Sequence, residues 1–198
     1  MYIIHNTDMK YLFNILKEEK IKSNKMTGNI NEGYGIYDTN KFVYFSTTNT
    51  LFDTKTYGQV IIYLSSELLF NRTFYLSTVH SPSPNYLAEW TSNNMTEYKR
   101  KYPRYYKNYN DVLKDLYLSS INKLPNGSGF SAFNQVALKN YVNIKKYVVG
   151  IQITIFKSIS KTELKKVNHI IKHAKKVYPN IKIKIRYYED LDINKQKK

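Results

Sequence analysis

The first stretch that could do chemistry is the polar triplet His5-Asn6-Thr7. It follows an apolar run, residues 2–4, that is typical of a buried strand, and it precedes Asp8, a residue type that begins helices. Side chains at a point where a strand is followed by a helix project into clefts more often than into a core. Histidine titrates near neutral pH, so it can serve there in hydrogen bonding or proton transfer. The alternative is that His5 is an ordinary surface or internally bonded histidine.

A second pair of histidines, His169 and His173, lies one helical turn apart and could in principle share a metal ion. No carboxylate lies beside them on their lysine-rich helix, so the pattern favours a solvated helix face. The chain has no cysteine, which excludes a disulfide scaffold and a thiolate metal site. It also lacks the phosphate-binding Gly-Lys-Ser loop, the dinucleotide glycine fingerprint, the Gly-x-Ser-x-Gly elbow and the zinc-protease helix.

Basic and aromatic residues are interleaved in residues 97–109, a pattern typical of single-stranded nucleic-acid binding. Tyrosines can stack on unpaired bases while the cations follow the phosphate backbone. The alternative is a solvated basic loop whose tyrosines pack back on the sheet. The predicted contact residues are Tyr98, Lys99, Arg100, Lys101, Arg104, Tyr105 and Lys107.

The net charge of the chain is +16, from 31 basic and 15 acidic residues. Such an excess favours a polyanionic partner: nucleic acid, an anionic membrane face or a phosphate-rich ligand. The composition has a second explanation, because an AT-rich genome also supplies Lys, Asn, Ile and Tyr in abundance. Arginine often binds phosphate through its bidentate fork, yet only four of the cations are arginines. This scarcity favours the explanation from genome composition. We find no signal peptide or membrane span, which predicts a soluble, intracellular and by default cytoplasmic protein.

The elements that would position these residues belong to the α+β class. Strands are predicted over residues 2–4, 41–48, 59–64, 73–76, 133–138, 147–156 and 181–188, helices over 8–20, 110–121 and 160–177, and a capped turn over 65–70. We expect a mostly antiparallel split sheet with flanking helices in a single domain, residues 1–190, with a basic helical insertion at about 91–129 and a flexible tail at 191–198. The stretch around Glu89 and Trp90 has no clear period and is predicted as an irregular loop.

The order of these motifs resembles that of the ADP-ribosyltransferase-like superfamily. The motifs are the strand ending in His5-x-Thr7, the strand Val43-Tyr44-Phe45-Ser46, and the later Asn134-Gln135-Val136-Ala137-Leu138 followed by residues 144–151. The resemblance covers residues 5–151 apart from the insertion. It is nearest to the DarT-type DNA ADP-ribosyltransferases and their relatives in large DNA viruses.

The resemblance implies a binding site for NAD as a substrate. His5 matches the histidine that hydrogen-bonds the ribose beside the nicotinamide, and Thr7 supports it. Tyr44 or Phe45 would flank the nicotinamide, because an aromatic face attracts a planar pyridinium ring by stacking and by cation–π interaction. Ser46 would line the cleft. The alternative is that Tyr44 and Phe45 are ordinary strand residues, one of them facing inward.

The chain departs from the family's pattern at Gln135, where the family has its catalytic glutamate. A carboxylate there holds a ribose hydroxyl and stabilises the positive charge that develops as nicotinamide leaves, and a neutral amide cannot offset that charge. Three explanations are open: Glu89 substitutes for the missing group, the protein binds rather than catalyses, or the residue was changed from a natural glutamate. RNA 2'-phosphotransferases of the same fold work without this glutamate through a basic cluster, to which only His5 and Arg72 could contribute here.

The resemblance therefore predicts an NAD-dependent ADP-ribosyltransferase-like protein that modifies nucleic acid or protein, with activity impaired at Gln135. The alternative function is a non-catalytic basic binding module on the same fold, which engages nucleic acid or a host factor through its basic surface.

Overall fold

The computed structural model describes residues 1–28, 39–52, 59–69, 73–78, 88–91, 133–156 and 158–188 of the chain. Its strands are β1 (Tyr2–Thr7), β2 (Lys20–Lys22), β3 (Phe42–Thr48), β4 (Val60–Ser65), β5 (Thr73–Thr78), β6 (Ala88–Thr91), β7 (Phe133–Lys139), β8 (Tyr141–Asn143), β9 (Val148–Phe156) and β10 (Lys182–Tyr188). Its helices are α1 (Met9–Glu18), α2 (Asn24–Thr27) and α3 (Lys161–Val177), and short 3-10 helices lie at Thr39–Lys41 and Ser66–Leu69.

Eight of the described strands form one sheet, in the order β10-β9-β4-β1-β3-β7-β5-β6. Its neighbouring strands are antiparallel except β9 and β10, which run parallel. Strands β2 and β8 form a separate antiparallel pair in which Ile21 lies opposite Val142. The expected α+β class with a mostly antiparallel sheet is confirmed. Within the described residues, no helix is long and apolar enough to cross a membrane.

Helices α1 and α3 cover one face of this sheet. Leu12 and Leu16 recur at one-turn spacing in α1 and are fully buried, and Val167, Ile170 and Ala174 follow the same spacing in α3. These side chains share one core with apolar residues of the central strands, among them Ile3, Phe45, Ile62, Val136 and Ile153.

Helix α3 follows Ser160, where the sequence predicts its start, and it begins at a capping box. The Ser160 hydroxyl accepts a hydrogen bond from the backbone N–H of Glu163 at 3.2 Å, and the Glu163 carboxylate accepts one from the backbone N–H of Ser160 at 3.1 Å. The hydrogen bonds that the carboxylate accepts from the Ser160 side chain and backbone lower the pKa of Glu163. Two of the helix's unpaired N-terminal donors are satisfied in this way.

The opposite face of the sheet carries a smaller core. Ile4, Ile61 and Tyr63 are buried there, and the Phe52 ring meets the Tyr63 ring edge-on, with 5.3 Å between centroids. Gly150 pairs with Tyr63, and a Cβ at that position would come within 3.0 Å of the Phe52 ring. The close approach of Phe52 to the strand therefore favours glycine at this position. Strand β1 is buried on both faces, which explains its continuous apolar run.

Three parts of the fold differ from the sequence predictions. Strand β1 continues to Thr7, because the polar triplet His5 to Thr7 pairs with β4. Residues Ala88–Thr91 form the edge strand β6, so the irregular loop predicted around Glu89 is wrong; partners on β5 hold this segment extended. Strands β2 and β8 were not predicted, because three residues each are too few to show the alternating pattern of a strand. Residues 92–129 of the predicted insertion and the predicted tail lie outside the described residues.

Candidate functional site

The candidate site lies where strands β1 and β3 separate. Strand β1 pairs with β4 along all six of its residues, but its pairing with β3 ends at Ile4, which lies opposite Ser46. At the next residue the His5 side chain bridges the two strands, because its Nδ1 atom lies 3.0 Å from the carbonyl oxygen of Tyr44. A side-chain hydrogen bond thus takes the place of the next backbone pair.

The His5 imidazole is held neutral and in one tautomer. A carbonyl oxygen can only accept a hydrogen bond, so Nδ1 must carry the proton that it donates to Tyr44. Burial lowers the pKa of His5, and the hydrogen bond to the Tyr44 carbonyl opposes this effect only in part. At pH 7 the ring is therefore uncharged, and its Nε2 atom has a lone pair. That atom can accept a hydrogen bond from a hydroxyl but cannot donate one.

Two adjoining cavities open beside His5. The smaller has a volume of about 230 Å³ and is lined by β1 and β3, including His5, Asn6, Tyr44 and Ser46. The larger has a volume of about 620 Å³ and extends from β1 towards α1, β2 and α2. The larger cavity falls in the range of about 300 to 1,000 Å³ that is typical of small-molecule sites. The residues common to both linings are His5, Asn6, Lys22 and Asn24.

The predicted cofactor-binding residues lie at this site in different ways. Phe45 is only 1% exposed, and its ring packs against the His5 ring with 5.5 Å between centroids, so it supports the histidine from the core. Tyr44 and Ser46 are partly exposed and line the smaller cavity, while Thr7 lines the larger one. Burial raises the pKa of the Tyr44 phenol, which therefore stays protonated at neutral pH and can donate a hydrogen bond.

The register of the sheet fixes the backbone position of Gln135. It pairs with Ser46 of β3, which in turn pairs with Ile4 of β1. Gln135 and His5 are therefore two strands and one residue apart, which places their backbones about 10 Å from each other. Because residues alternate between faces along a strand, the position of Gln135 belongs to the face of Ser46 and Ile4, and that of His5 to the opposite face, where His5 packs against Phe45. A ligand contacts both only if it reaches through the gap where β1 and β3 are unpaired.

Glu89 is poorly placed to substitute for a carboxylate at Gln135. It lies on the edge strand β6, opposite Tyr75 of β5. Two strand spacings, or about 10 Å, separate β6 from the strand that carries Gln135. A glutamate side chain is shorter than this distance, so the sheet disfavours the first of the three explanations for the missing carboxylate.

Three residues of the site were not predicted from the sequence: Asn6, Lys22 and Asn24, which line both cavities. The Oδ1 atom of Asn6 is buried and has no hydrogen-bond partner among the described residues, so it is an acceptor that a ligand can satisfy. The sequence did offer one signal for Asn6, because this residue lies inside the polar triplet His5-Asn6-Thr7. Lys22 and Asn24 reach the site because β2 pairs with the distant β8, which no local pattern reveals.

The remaining predicted sites lie elsewhere. The histidines His169 and His173 do not form a purely solvated helix face, since both rings pack against Phe13 of α1, at 5.7 and 5.1 Å between centroids. Among the described residues, no group of three or more His, Asp or Glu side chains is arranged to hold a metal ion. The nucleic-acid segment, residues 98–109, lies outside the described residues and stays a prediction.

Comparisons with protein-family models, with curated proteins and with solved structures each return no match for this chain. Its function must therefore be inferred from its own residues and geometry.

Proposed function

We propose that this protein binds NAD in the gap between β1 and β3. We further propose that it is an ADP-ribosyltransferase-like protein that modifies nucleic acid or protein, with a transfer step slowed by the amide of Gln135. The observation that carries the proposal is the neutral His5, whose Nδ1 proton is committed to the Tyr44 carbonyl. Its Nε2 atom can accept a hydrogen bond from a ribose hydroxyl, the role that the family resemblance implies.

The surroundings of His5 suit the nicotinamide riboside end of NAD. Tyr44 offers a partly exposed aromatic ring, which attracts a planar cation such as a pyridinium. Ser46 supplies a hydroxyl, and Asn6 supplies an amide oxygen that has no partner in the part of the protein that the structure describes. The cavity of about 620 Å³ leaves room for the remainder of a dinucleotide, and Lys20 in its lining attracts phosphate, whereas Lys22 is already paired with Glu18.

Gln135 explains why transfer would be slow. When the bond between ribose and nicotinamide breaks, positive charge develops on the ribose, and a carboxylate nearby lowers the barrier. The Gln135 amide can hydrogen-bond a ribose hydroxyl but carries no charge to offset the developing one. Binding through His5 and Tyr44 does not require that charge. We therefore expect the protein to bind NAD even though the transfer step is slow.

A non-catalytic basic binding module on the same fold is the second candidate. Two observations favour it: the amide at Gln135 and the net charge of +16. Such a protein would engage nucleic acid or a host factor through its basic surface and would have no need for the acceptor atom of His5. The two candidates therefore differ in whether NAD binds at His5.

NAD is expected to raise the melting temperature of this protein in a thermal-shift assay. At 100 times its Kd, a ligand that binds only the folded state stabilises it by about 2.7 kcal/mol. His5→Ala removes the hydrogen-bond acceptor and should weaken NAD binding by about 1 to 3 kcal/mol, so most of the shift should disappear. The matched control, His169→Ala on the exposed side of α3, should keep the full shift.

Two results would reject this proposal. One is the absence of any shift with millimolar NAD, and the other is an equal shift in the His5→Ala protein. Either would leave the binding module as the function to pursue.

A further inference from the structure

Half of the protein's net charge is concentrated in α3 and β10. Residues 161–188 contain nine lysines and arginines and one glutamate, a net charge of +8 out of +16 for the whole chain. The glutamate, Glu163, is engaged in the capping box with Ser160. Lys184 and Arg186 of β10 lie on the face of the sheet opposite to α3, where both donate hydrogen bonds to the Phe52 carbonyl oxygen. Helix α3, with six lysines and one glutamate, is therefore the most basic helix or strand among the described residues.

Four of these cations form a ridge along α3, which we call the lysine ridge: Lys161, Lys165, Lys172 and Lys176. Their spacing of four, seven and four residues places them on one side of a helix with 3.6 residues per turn. The ridge is about 22 Å long, from 15 residues at 1.5 Å each. All four side chains are exposed, and within the described residues none is paired with a carboxylate. Nothing within the described fold neutralises this row of charge.

An open groove of about 960 Å³ lies beside the N-terminal half of the ridge, between α1 and α3. Its floor is apolar and aromatic, with Phe13 and Ile155, and Lys165 of the lysine ridge belongs to its rim together with Lys166. Tyr187 of β10 pairs with Ile155 in the sheet and is 59% exposed. Cations and exposed ring surface thus occur side by side at one end of α3.

We infer that the lysine ridge and this groove bind a single-stranded nucleic acid. A flexible strand can place successive phosphates on the ridge while an unpaired base stacks on Tyr187 or enters the groove. A duplex can place its phosphates along the lysine ridge, but its paired bases are not free to stack on the aromatic surface. A polypeptide of acidic residues alone satisfies the charge but has no planar ring for the aromatic surface. The site is separate from the gap at His5, so it acts whether or not NAD binds there.

The test is binding of a labelled 20-nucleotide single strand without NAD, measured by fluorescence anisotropy over a range of salt concentrations. Each phosphate of a single strand that the protein neutralises contributes about −0.7 to the log–log slope of affinity against salt. The fourfold variant K161Q/K165Q/K172Q/K176Q neutralises up to four phosphates fewer and should reduce the slope by about 2 to 3. Glutamine keeps side-chain length and helix propensity close to those of lysine.

The matched control removes the same charge elsewhere, as K17Q/K139Q/K145Q/K146Q, from four exposed lysines that are neither in α3 nor in β10. It should retain nearly the full slope. Tyr187→Ser should weaken single-strand binding by roughly fivefold or more, since base stacking contributes about 1 to 3 kcal/mol. The inference is overturned if the control flattens the slope as much as the ridge variant, or if a duplex or polyglutamate competes as well as the single strand. These outcomes do not depend on NAD binding at His5.

Discussion

Changing Gln135 to glutamate is expected to raise the rate of nicotinamide release from NAD by about 100-fold or more. Single groups that stabilise developing charge in an active site are worth about 10² to 10³ in rate, and the family resemblance assigns the position of such a group to Gln135. Its backbone pairs with Ser46, beside the gap in which we propose that NAD binds. The measurement is kcat at saturating NAD, which separates the rate of bond breakage from the affinity.

The matched control for this variant is Gln59→Glu, which adds the same charge at an exposed position outside the gap. It should leave the rate unchanged. If Gln135→Glu binds NAD like the original protein but releases nicotinamide no faster, Gln135 does not face the reacting ribose. The assignment as an ADP-ribosyltransferase would then be wrong even though the NAD site exists.

Replacing Gln152 with methionine is expected to stabilise the protein by about 2 kcal/mol. Gln152 is fully buried in β9, and neither its Oε1 nor its Nε2 atom has a hydrogen-bond partner within the described fold. A buried polar group without a partner costs about 1 to 3 kcal/mol, and methionine has a similar shape without that cost. Denaturant unfolding should show a higher midpoint with an unchanged m-value.

Two companion variants sharpen this prediction. Thr154→Val, two residues along the same strand, removes another buried hydroxyl without a partner and should also stabilise, by about 1 kcal/mol. Gln59→Met is the matched control, because the Gln59 Oε1 accepts a hydrogen bond from the backbone N–H of Met9 at 3.3 Å and is exposed. It should be neutral or slightly destabilising. A loss of stability in Gln152→Met would mean that the buried amide has a partner, such as a bound water.

The elements with strong local signals could be predicted from the sequence almost to the residue. Helix α3 was expected from Ser160 to Val177 and is observed at Lys161–Val177, because a capping serine and a 3.6-residue apolar period both mark it. Strand β9 was expected over residues 147–156 and begins one residue later, since a nearly continuous run of apolar and β-branched residues is typical of a strand between two neighbours.

The parts that the sequence could not reveal depend on contacts between distant residues. The edge strand β6 is held by pairs such as Trp90 with Phe74, and its four residues carry no period of their own. The candidate site also depends on a contact between residues that are far apart in the sequence. His5 and Tyr44 are 39 residues apart, and the hydrogen bond between them fixes the tautomer on which the proposed chemistry depends. The sequence indicated which residues to compare, but only the sheet register shows that β1 and β3 part at His5.

The most direct test of the central claim is the ¹⁵N NMR spectrum of the His5 imidazole, with and without NAD. The chain has four histidines, so the His5 signals are identified as those missing from the spectrum of His5→Gln. At pH 7 we predict a neutral ring with Nδ1 protonated and Nε2 bare, and a shift of the Nε2 resonance on addition of NAD as it accepts a ribose hydroxyl. A charged ring, a proton on Nε2 instead of Nδ1, or an Nε2 signal that saturating NAD leaves unmoved would contradict it.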